Sequence, residues 1–183
     1  MSSGHPSKQQ YNSKELLVRS AVTADYKIIQ AILDQQFGLN YLCSKNHLKD
    51  YPIALVAIAQ EKIVGFCAGK IENNIGILDL VVVIPSHQKK GIGTALFKAR
   101  MEQFQQLKIQ QFKLYHWAKK QNPTSRIALK NGFIPIKEYT NYWANESLQL
   151  NYNCSVCGPP PCTCKCVLYV NRQSKNNNLL TQN

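Results

Sequence analysis

Three polar or basic side chains, Gln88, Lys89 and Lys90, stand directly before two glycines in the stretch IPSHQKKGIGTAL, residues 84–96. Branched apolar residues precede this stretch and helix-periodic apolar residues follow it, so we expect a buried strand that passes into a helix. The first N–H groups of a helix have no partner within it, and the helix dipole makes that end positive. Because glycine has no Cβ, a bulky anion can approach such a backbone closely. The stretch therefore predicts an anion site, and a diphosphate suits it best.

Two familiar phosphate-binding motifs are excluded by the residues around these glycines. A dinucleotide-binding fingerprint needs a third glycine where this chain has Leu96, and a P-loop needs Gly-Lys-Ser or Gly-Lys-Thr where Gly93 precedes Thr94. Thr94 can add its hydroxyl to the anion site. A strand-to-helix turn in which the glycines only relieve crowding is the open alternative.

The elements that must position this stretch follow from the hydrophobic pattern along the chain. Apolar alternation or short apolar runs predict strands, and apolar residues at helical spacing predict helices. The predicted strands lie within residues 15–22, 53–60, 62–72, 75–85, 109–119, 134–143 and 166–170, with 148–152 as a competitor for the last one. The predicted helices begin at Thr23 and lie within 39–51, 91–108 and 122–133. This order predicts an α/β (α+β) fold, a mixed central sheet of about six to seven strands with helices on both faces.

Two of these helices carry more specific expectations. Thr23 is the predicted N-cap of the first helix. The buried face of that helix is predicted to hold Ile28, Ile29, Ile32 and Leu33. The helix from Gly91 to Lys108 has a second apolar stripe, and this stripe permits a homodimer. Its members are Phe97, Met101 and Phe104.

The pattern Val83-x-Pro85-x-x-Gln88-x-x-Gly91-x-Gly93-x-Ala95-Leu96 resembles the acetyl-coenzyme A motif of the GNAT superfamily of N-acetyltransferases. The flanks agree, because LVRSAVTADYKII resembles the first strand and helix of that family and NPTSRIALKNGF resembles its later helix. The resemblance covers about residues 16–144. It implies a GNAT-like fold in which the fourth strand splays away from the fifth.

The same resemblance implies acetyl-CoA as the cofactor. The pantetheine arm would lie in the gap between the splayed strands and pair with the backbone of the fourth strand. The pyrophosphate would lie at the glycine turn, and Asn122 would stand near the thioester. The cofactor-binding residues that the resemblance implies are Val81, Val82, Val83, Gln88, Lys89, Lys90, Gly91, Ile92, Gly93, Thr94 and Asn122.

Acetyl transfer to an amine needs a base for the amine and an exit for the thiolate. By the resemblance the base is Asp79, six residues before Pro85 and the one acid in its apolar run. A structural aspartate bonded to nearby backbone is the alternative. The family often has a tyrosine four residues before its Gly-Phe, where this chain has Ala128. Either Tyr115, Tyr139 or Tyr142 donates the proton instead, or the thiolate leaves without help.

Five of the seven cysteines lie between Cys154 and Cys166. The pair Cys154-x-x-Cys157-Gly resembles a zinc knuckle, in which backbone N–H groups bond to the thiolates. Zinc bound by Cys154, Cys157, Cys162 and Cys164 is one interpretation; free or redox-active thiols and disulfides are the others. The cysteines are expected to form an insertion at 154–166, before the last strand.

Length and composition narrow the function classes. The chain has 183 residues, 44% of them hydrophobic, which predicts one globular domain at 15–170 between a flexible N-terminus at 1–14 and a disordered tail at 171–183. The net charge of +12 is scattered in short clusters, so nucleic acid is not an expected partner. No apolar run is long enough to span a membrane, and the N-terminus does not resemble a secretory signal. A cytoplasmic location is therefore expected.

Together these patterns predict an N-acetyltransferase that moves an acetyl group from acetyl-CoA to a primary amine by direct attack in a ternary complex. The amine belongs to a small molecule or to a protein lysine or N-terminus, and the residues do not choose between them. Two alternatives are open: a catalytically silent CoA-binding module, and a zinc-bearing interaction module on the same scaffold.

Overall fold

A computed structural model of the chain describes residues 16–39, 41, 51–118 and 123–171. The strands in these ranges are β1 Leu16–Ser20, β2 Ile53–Ala59, β3 Lys62–Glu72, β4 Ile75–Val83, β5 Gln111–Trp117, β6 Phe133–Tyr139 and β7 Cys166–Asn171. The α-helices are α1 Tyr26–Phe37, α2 Ile92–Gln106, α3 Thr124–Lys130 and α4 Ala144–Leu150, and short 3-10 turns occupy Thr23–Asp25 and Pro85–His87.

All seven strands join one sheet in the order β1-β2-β3-β4-β5-β7-β6. Strands β1 to β4 pair antiparallel, β4 and β5 pair parallel, and β7 lies antiparallel between β5 and β6. The β3–β4 turn at Asn73 and Asn74 has positive φ at both residues, 50° and 63°, which suits the right-handed twist of a tight hairpin. The predicted mixed sheet is confirmed.

Helices cover both faces of this sheet, as predicted. Helix α2 packs on one face, where Ile92, Leu96 and Phe104 belong to a core with residues of β2, β4 and β5. Helix α1 packs on the other face, where Ile29 and Leu33 are fully buried beside β3 and β4. Strand β4 contributes to both cores, so it lies at the centre of the molecule.

The start of the first helix differs from the prediction. Thr23 begins a 3-10 turn and is not the N-cap of α1; that position is held by Asp25. The Asp25 carboxylate accepts hydrogen bonds from Val22 N at 2.9 Å and from Arg19, which donates through two nitrogens. Arg19 holds the pKa of Asp25 below its usual value. An ion pair to β1 therefore fixes this helix start, which a local capping rule does not anticipate.

Three further expectations are corrected. Ile28 is 49% exposed, so the buried face of α1 is narrower than predicted. Residues 148–152 lie in and after α4, so they do not compete with β7 for the last strand. Phe97 and Phe104 in the second stripe of α2 are buried against Phe133 and Phe112 of the same chain, so this stripe gives no argument for a homodimer.

Some predictions fall outside the described residues. These are the N-terminus at 1–14, the helix within 39–51 apart from its ends, and the tail from 172 onward, while Asn171 ends β7. Among the helices described, none is both long and apolar enough to cross a membrane. The cytoplasmic location stays a prediction.

Candidate active site

Strands β4 and β5 stop pairing soon after their ladder begins. Their ladder has three rungs, at Ile75, Gly76 and Ile77 of β4. Beyond these rungs β4 keeps β3 as its neighbour, and β5 keeps β7 through Lys113–Trp117. The facing edges of the two strands are therefore not paired with each other toward their C-terminal ends, and a gap lies between them.

A β-bulge at Asp79 stands where this gap opens. Ala68 of β3 pairs with Leu80 and Gly69 pairs with Leu78, so Asp79 is an extra residue in the β4 ladder. After the bulge, the side chains of the strand point to the faces opposite to those that regular alternation would give. Leu78 belongs to the core beneath α2, while Leu80, two residues later, belongs to the core beneath α1. Bulges of this kind redirect a side chain beside a site.

A fully buried arginine supports the bulge from the α2 side. Arg100 Nη1 donates to Ala68 O at 2.9 Å and to Leu80 O at 2.7 Å, the carbonyls of the two residues that pair next to Asp79. Burial lowers the pKa of the Arg100 guanidinium, while Cys67 and Asp79 act in the opposite direction. Its Nε and Nη2 have no hydrogen-bond partner within the described chain. Arg100 is thus committed to the backbone of the bulge.

The Asp79 carboxylate lies at the gap with two donors beside it. Tyr51 donates its hydroxyl to Asp79 Oδ2 at 2.8 Å, and Lys70 Nζ lies 3.3 Å from the same oxygen. Lys70 also lies over the Tyr51 ring, 5.3 Å from its centroid. The side chain of Asp79 is 20% exposed. Both of these partners are side chains from distant positions in the sequence.

The backbone of β4 beyond the bulge alternates between β3 and the gap. Ile84 N donates to Val64 O on β3, so the backbone groups of Val83 and Val81 point the other way, toward the gap. Val83 O accepts from Gln88 Nε2 at 2.9 Å, which agrees with this direction. Val82 instead faces β3 and is buried beneath α1. Beyond Asp79, strand β4 therefore presents toward the gap an edge that no other strand pairs with, and Val83 O on this edge already accepts from Gln88.

The glycine turn joins this edge to the start of α2. Gly91 is the N-cap of α2 and has φ of +86°, a left-handed conformation that glycine adopts without strain. Lys89 also has positive φ, +61°. At Gly93 a Cβ would make only ordinary contacts, with Ile127 at 3.4 Å and Val83 at 3.9 Å. The helix start is therefore bare of side chains at Gly91 and Gly93, with Lys89 and Lys90 beside it.

A cleft lies in the gap between the two strands. This cleft is partly open to solvent. One side is the backbone of Asp79–Val81 and the other is Leu114–Trp117 of β5. The remaining wall is formed by Phe37, Tyr41, Thr124, Trp143, Tyr152, Cys154 and Cys162.

Three tyrosines meet on the β5 side of the cleft. Tyr115 lines it and stacks on Tyr142, with ring centroids 5.3 Å apart, and Tyr139 lies 5.4 Å from Tyr142. Burial raises the pKa of Tyr115 above its usual value, with Tyr139 adding to the effect. Burial raises the pKa of Tyr142 as well. Both phenols therefore keep their protons throughout the neutral range.

The cysteine segment lies against the same cleft. The sulfurs of Cys154, Cys157, Cys162 and Cys164 all lie within 4.8 Å of one another. Cys166, the fifth cysteine of the segment, is not part of this group; it is fully buried at the start of β7, opposite Trp117. The segment precedes β7, as predicted from its sequence.

Residues 21–133, more than half of the chain, match the family model described as Acetyltransferase (GNAT) family. The chain belongs to the GNAT acetyltransferase family. Comparison with curated proteins gives no match.

Solved structures of acetyltransferases share this fold. The ribosomal-protein-S18-alanine N-acetyltransferase of Escherichia coli is 15% identical, with a TM-score of 0.66 over 85% of this chain and 92% of that one. NAA60 of Arabidopsis thaliana, solved with a bisubstrate analogue, is 15% identical, with a TM-score of 0.67 over 85% and 96%. A Bacillus subtilis acetyltransferase in complex with CoA is 13% identical, with a TM-score of 0.66 over 86% and 98%.

Two positions implied by the GNAT resemblance do not add to the site. Asn122 lies outside the described residues. Ala128, where the family often has a tyrosine, is fully buried in the core beneath α2 and supplies no hydroxyl. Of the three tyrosines expected to replace it, Tyr115 lines the cleft, as Tyr41 and Tyr152 also do.

Several residues of this cleft and its surroundings are not indicated by the sequence pattern. Arg100 interrupts an apolar helix face, which was a readable signal because arginine is rarely fully buried. Tyr51 and Lys70 reach Asp79 from 28 and 9 residues away, and no local pattern indicates such contacts. Trp117 was predicted only as a strand residue; it lines the cleft together with Phe37, whose ring lies 5.6 Å from its own.

The support of the bulge by Arg100 can be tested by its removal. In Arg100→Met, amides of residues 67–69 and 78–81 are expected to exchange with solvent at least tenfold faster, about 1.4 kcal/mol of local stability, because two carbonyls lose their donor. Hydrogen exchange followed by NMR measures this. Lys98→Met, an exposed cation on the same helix, is the control. Unchanged exchange at the bulge in Arg100→Met would contradict the assignment.

Proposed function

We propose that this GNAT protein is an N-acetyltransferase that binds acetyl-CoA in the cleft between β4 and β5 and passes the acetyl group directly to a primary amine. The observation that carries the proposal is the position of Asp79. Its carboxylate lies in the same cleft whose β4 edge runs on to the bare helix start at Gly91 and Gly93. The proposed base, the pairing edge and the anion site therefore follow one another along β4 and into the start of α2.

The cofactor part of the proposal uses backbone groups. The pantetheine arm carries two amides, and the backbone groups of Val81 and Val83 that face the gap are suited to pair with them as an added strand would. The diphosphate takes the unpaired N–H groups at the start of α2, from Gly91 to Thr94. Lys89 and Lys90 add positive charge beside it. In this arrangement the side-chain amide of Gln88 donates to Val83 O and closes the turn, so its role toward the diphosphate is indirect.

Asp79 is proposed as the base for the attacking amine, directly or through one water. An ionised carboxylate fits the two contacts observed, since Tyr51 donates to it and Lys70 is a cation. Loss of a proton by an ammonium group makes the nitrogen a nucleophile, and a carboxylate at the splay stands close to where the thioester would end.

Tyr115 is proposed as the proton donor to the leaving thiolate. It lines the cleft, and the raised pKa of its phenol keeps the donor protonated. Tyr142 stacks on Tyr115 and is 39% exposed, so its proposed role is to hold the Tyr115 ring in place.

The acceptor is proposed to be an amine of a small molecule or of a protein. The cleft wall beyond Asp79 is largely aromatic, with Phe37, Tyr41, Trp143 and Tyr152. Such a wall accommodates the apolar stem of an amine while leaving its charged end near the carboxylate. A silent CoA-binding module is the second candidate, favoured by Ala128, and it predicts cofactor binding without transfer.

The diphosphate site is tested at Gly93. In Gly93→Val the added methyl groups are expected to cover the N–H groups and raise the Kd for acetyl-CoA at least tenfold, or about 1.4 kcal/mol, as measured by calorimetry. A Cβ at this position meets no tight contact, and a circular dichroism spectrum like that of the wild type checks that the variant folds. Gln105→Val, exposed near the other end of α2, controls for a β-branched residue in the helix. An unaltered Kd in Gly93→Val would remove the cofactor assignment.

The base is tested by Asp79→Asn, which keeps the shape of the side chain and the bond from Tyr51 but removes the charge. The expected result is a fall in kcat of about 10²–10⁴-fold with an unchanged Kd for acetyl-CoA. The assay follows the mass of acetylated product over a panel of amines, because the seven cysteines would disturb a free-thiol readout. Glu102→Gln is the control for an exposed acid. Cofactor binding without transfer in the wild type would favour the silent module.

The donor is tested by comparing Tyr115→Phe with Tyr142→Phe. Tyr115→Phe is expected to lower kcat about 10–100-fold, because the leaving thiolate loses its proton source, while Tyr142→Phe keeps the ring contact and stays within about threefold of the wild type. Because the pKa of the Tyr115 phenol is raised, the phenol stays protonated, and its ionisation should not change kcat at any pH below its ordinary pKa of 10.0. A kcat for Tyr115→Phe equal to that of the wild type would mean that the thiolate leaves unaided.

A further inference from the structure

We propose that Cys154, Cys157, Cys162 and Cys164 bind one zinc ion, and that the metal-bound loop fixes the end of α1 at the wall of the cleft. The sulfur separations agree with a tetrahedral centre. Cys157 Sγ lies 3.2 Å from Cys164 Sγ and 3.9 Å from Cys162 Sγ, and Cys154 Sγ lies 3.8 Å from Cys164 Sγ. A tetrahedron with Zn–S bonds of about 2.3 Å has edges of about 3.8 Å.

The backbone around the first two cysteines is shaped as a metal-binding turn. Val156 N and Cys157 N lie 3.4 and 3.5 Å from Cys154 Sγ, so both amides point at the sulfur. Cys154 and Gly158 exchange backbone hydrogen bonds of 2.8 and 2.9 Å, which closes the turn, and Gly158 has φ of +81°. Amides directed at a sulfur stabilise it as a thiolate, the form that binds a metal.

The ligand set favours a structural zinc ion. Four sulfurs complete a tetrahedral shell and leave no open position for a substrate, which is typical of structural and not catalytic zinc. Thiolate ligands in tetrahedral geometry select zinc or iron over hard cations such as magnesium. Because the four sulfurs lie within 4.8 Å of one another, one ion can contact them all.

The loop is bonded to the C-terminal end of α1. The last carbonyls of a helix have no partner within it. Here Ser155 N donates to Phe37 O and Ser155 Oγ donates to Gln36 O, both at 2.9 Å. Gly38 follows the helix with φ of +121°, and a Cβ there would overlap Asn153 O. The loop therefore caps α1 through a residue that lies between two metal ligands.

A second contact ties the other half of the loop to α4. Cys162 N donates to Ser147 Oγ at 2.7 Å, and Ser147 is fully buried. Cys154, Cys162 and Phe37 all line the cleft. A metal that fixes the loop thus fixes a wall of the same cleft that Asp79 lines. The effect on acceptor binding rests on the proposed function, whereas metal binding itself does not.

Metal content of the full chain tests the site without any activity assay. Protein purified from cells grown with added zinc is expected to hold about one zinc per chain by elemental analysis, and Cys157→Ser and Cys164→Ser are expected to lose it. Cys166→Ala, a cysteine of the same segment outside the group, should retain it. Native mass spectrometry of the wild type before and after a strong chelator gives the same answer if a variant fails to fold.

The proposal is overturned if the folded wild type carries no stoichiometric zinc. It is equally overturned if zinc persists in both serine variants, or if intact mass shows two hydrogens lost per cysteine pair, since disulfides would then occupy the sulfurs.

The link to α1 is tested on the wild type by hydrogen exchange. Removal of zinc by the chelator is expected to speed exchange of residues 153–158 and 34–39 at least tenfold, with α2 unaffected, because the loop loses its fixed shape. If zinc leaves and exchange in these ranges is unchanged, the loop does not depend on the metal and the link is wrong. In an active preparation KM for the amine should rise while the Kd for acetyl-CoA holds. Absence of transfer in the zinc-loaded protein would count against the acetyltransferase and not against the metal site.

Discussion

Beyond Ile77, β4 keeps one neighbour and loses the other. Inside a sheet a strand satisfies its backbone groups on both sides, and an unpaired polar group costs free energy wherever water is excluded. The edge of β4 that faces the cleft therefore carries backbone N–H and C=O groups that no neighbouring strand pairs with, and a ligand from outside the chain can pair with them. An extended ligand with spaced amides is suited to pair with such an edge. The other features of the site are arranged along this edge.

The bulge at Asp79 places a carboxylate beside the edge of β4 that faces the cleft. Without the extra residue, Leu80 would stay on the same face as Leu78, and Asp79 would point into the core beneath α1. With it, Leu78 and Leu80 bury on opposite faces and the carboxylate reaches the cleft. Burying Arg100 with two nitrogens unpartnered is costly, so the arginine is better explained by the geometry that it fixes than by stability.

Sequence patterns located the elements well where one local rule decides them. The two asparagines before β4 gave a hairpin, and the glycines after it gave a helix start. Local rules failed where a distant partner decides. Arg19 on β1 sets the start of α1, and Tyr51 reaches Asp79 across 28 residues. The pairing of β7 between β5 and β6 is another long-range choice, because its apolar residues suit any buried strand.

The order of the strands explains why the cysteines meet the cleft. Strand β7 runs antiparallel to β5, and Cys166 at its start lies opposite Trp117 at the end of β5. That end of β5 lines the cleft. The segment that leads into β7 therefore begins its approach beside the cleft, and Cys154 and Cys162 line it. A loop held only by solvent-exposed backbone would make a poor wall at this position. With one metal ion bound, four sulfurs gathered in 11 residues would give the loop a fixed shape there, and Ser155 between them is bonded to α1.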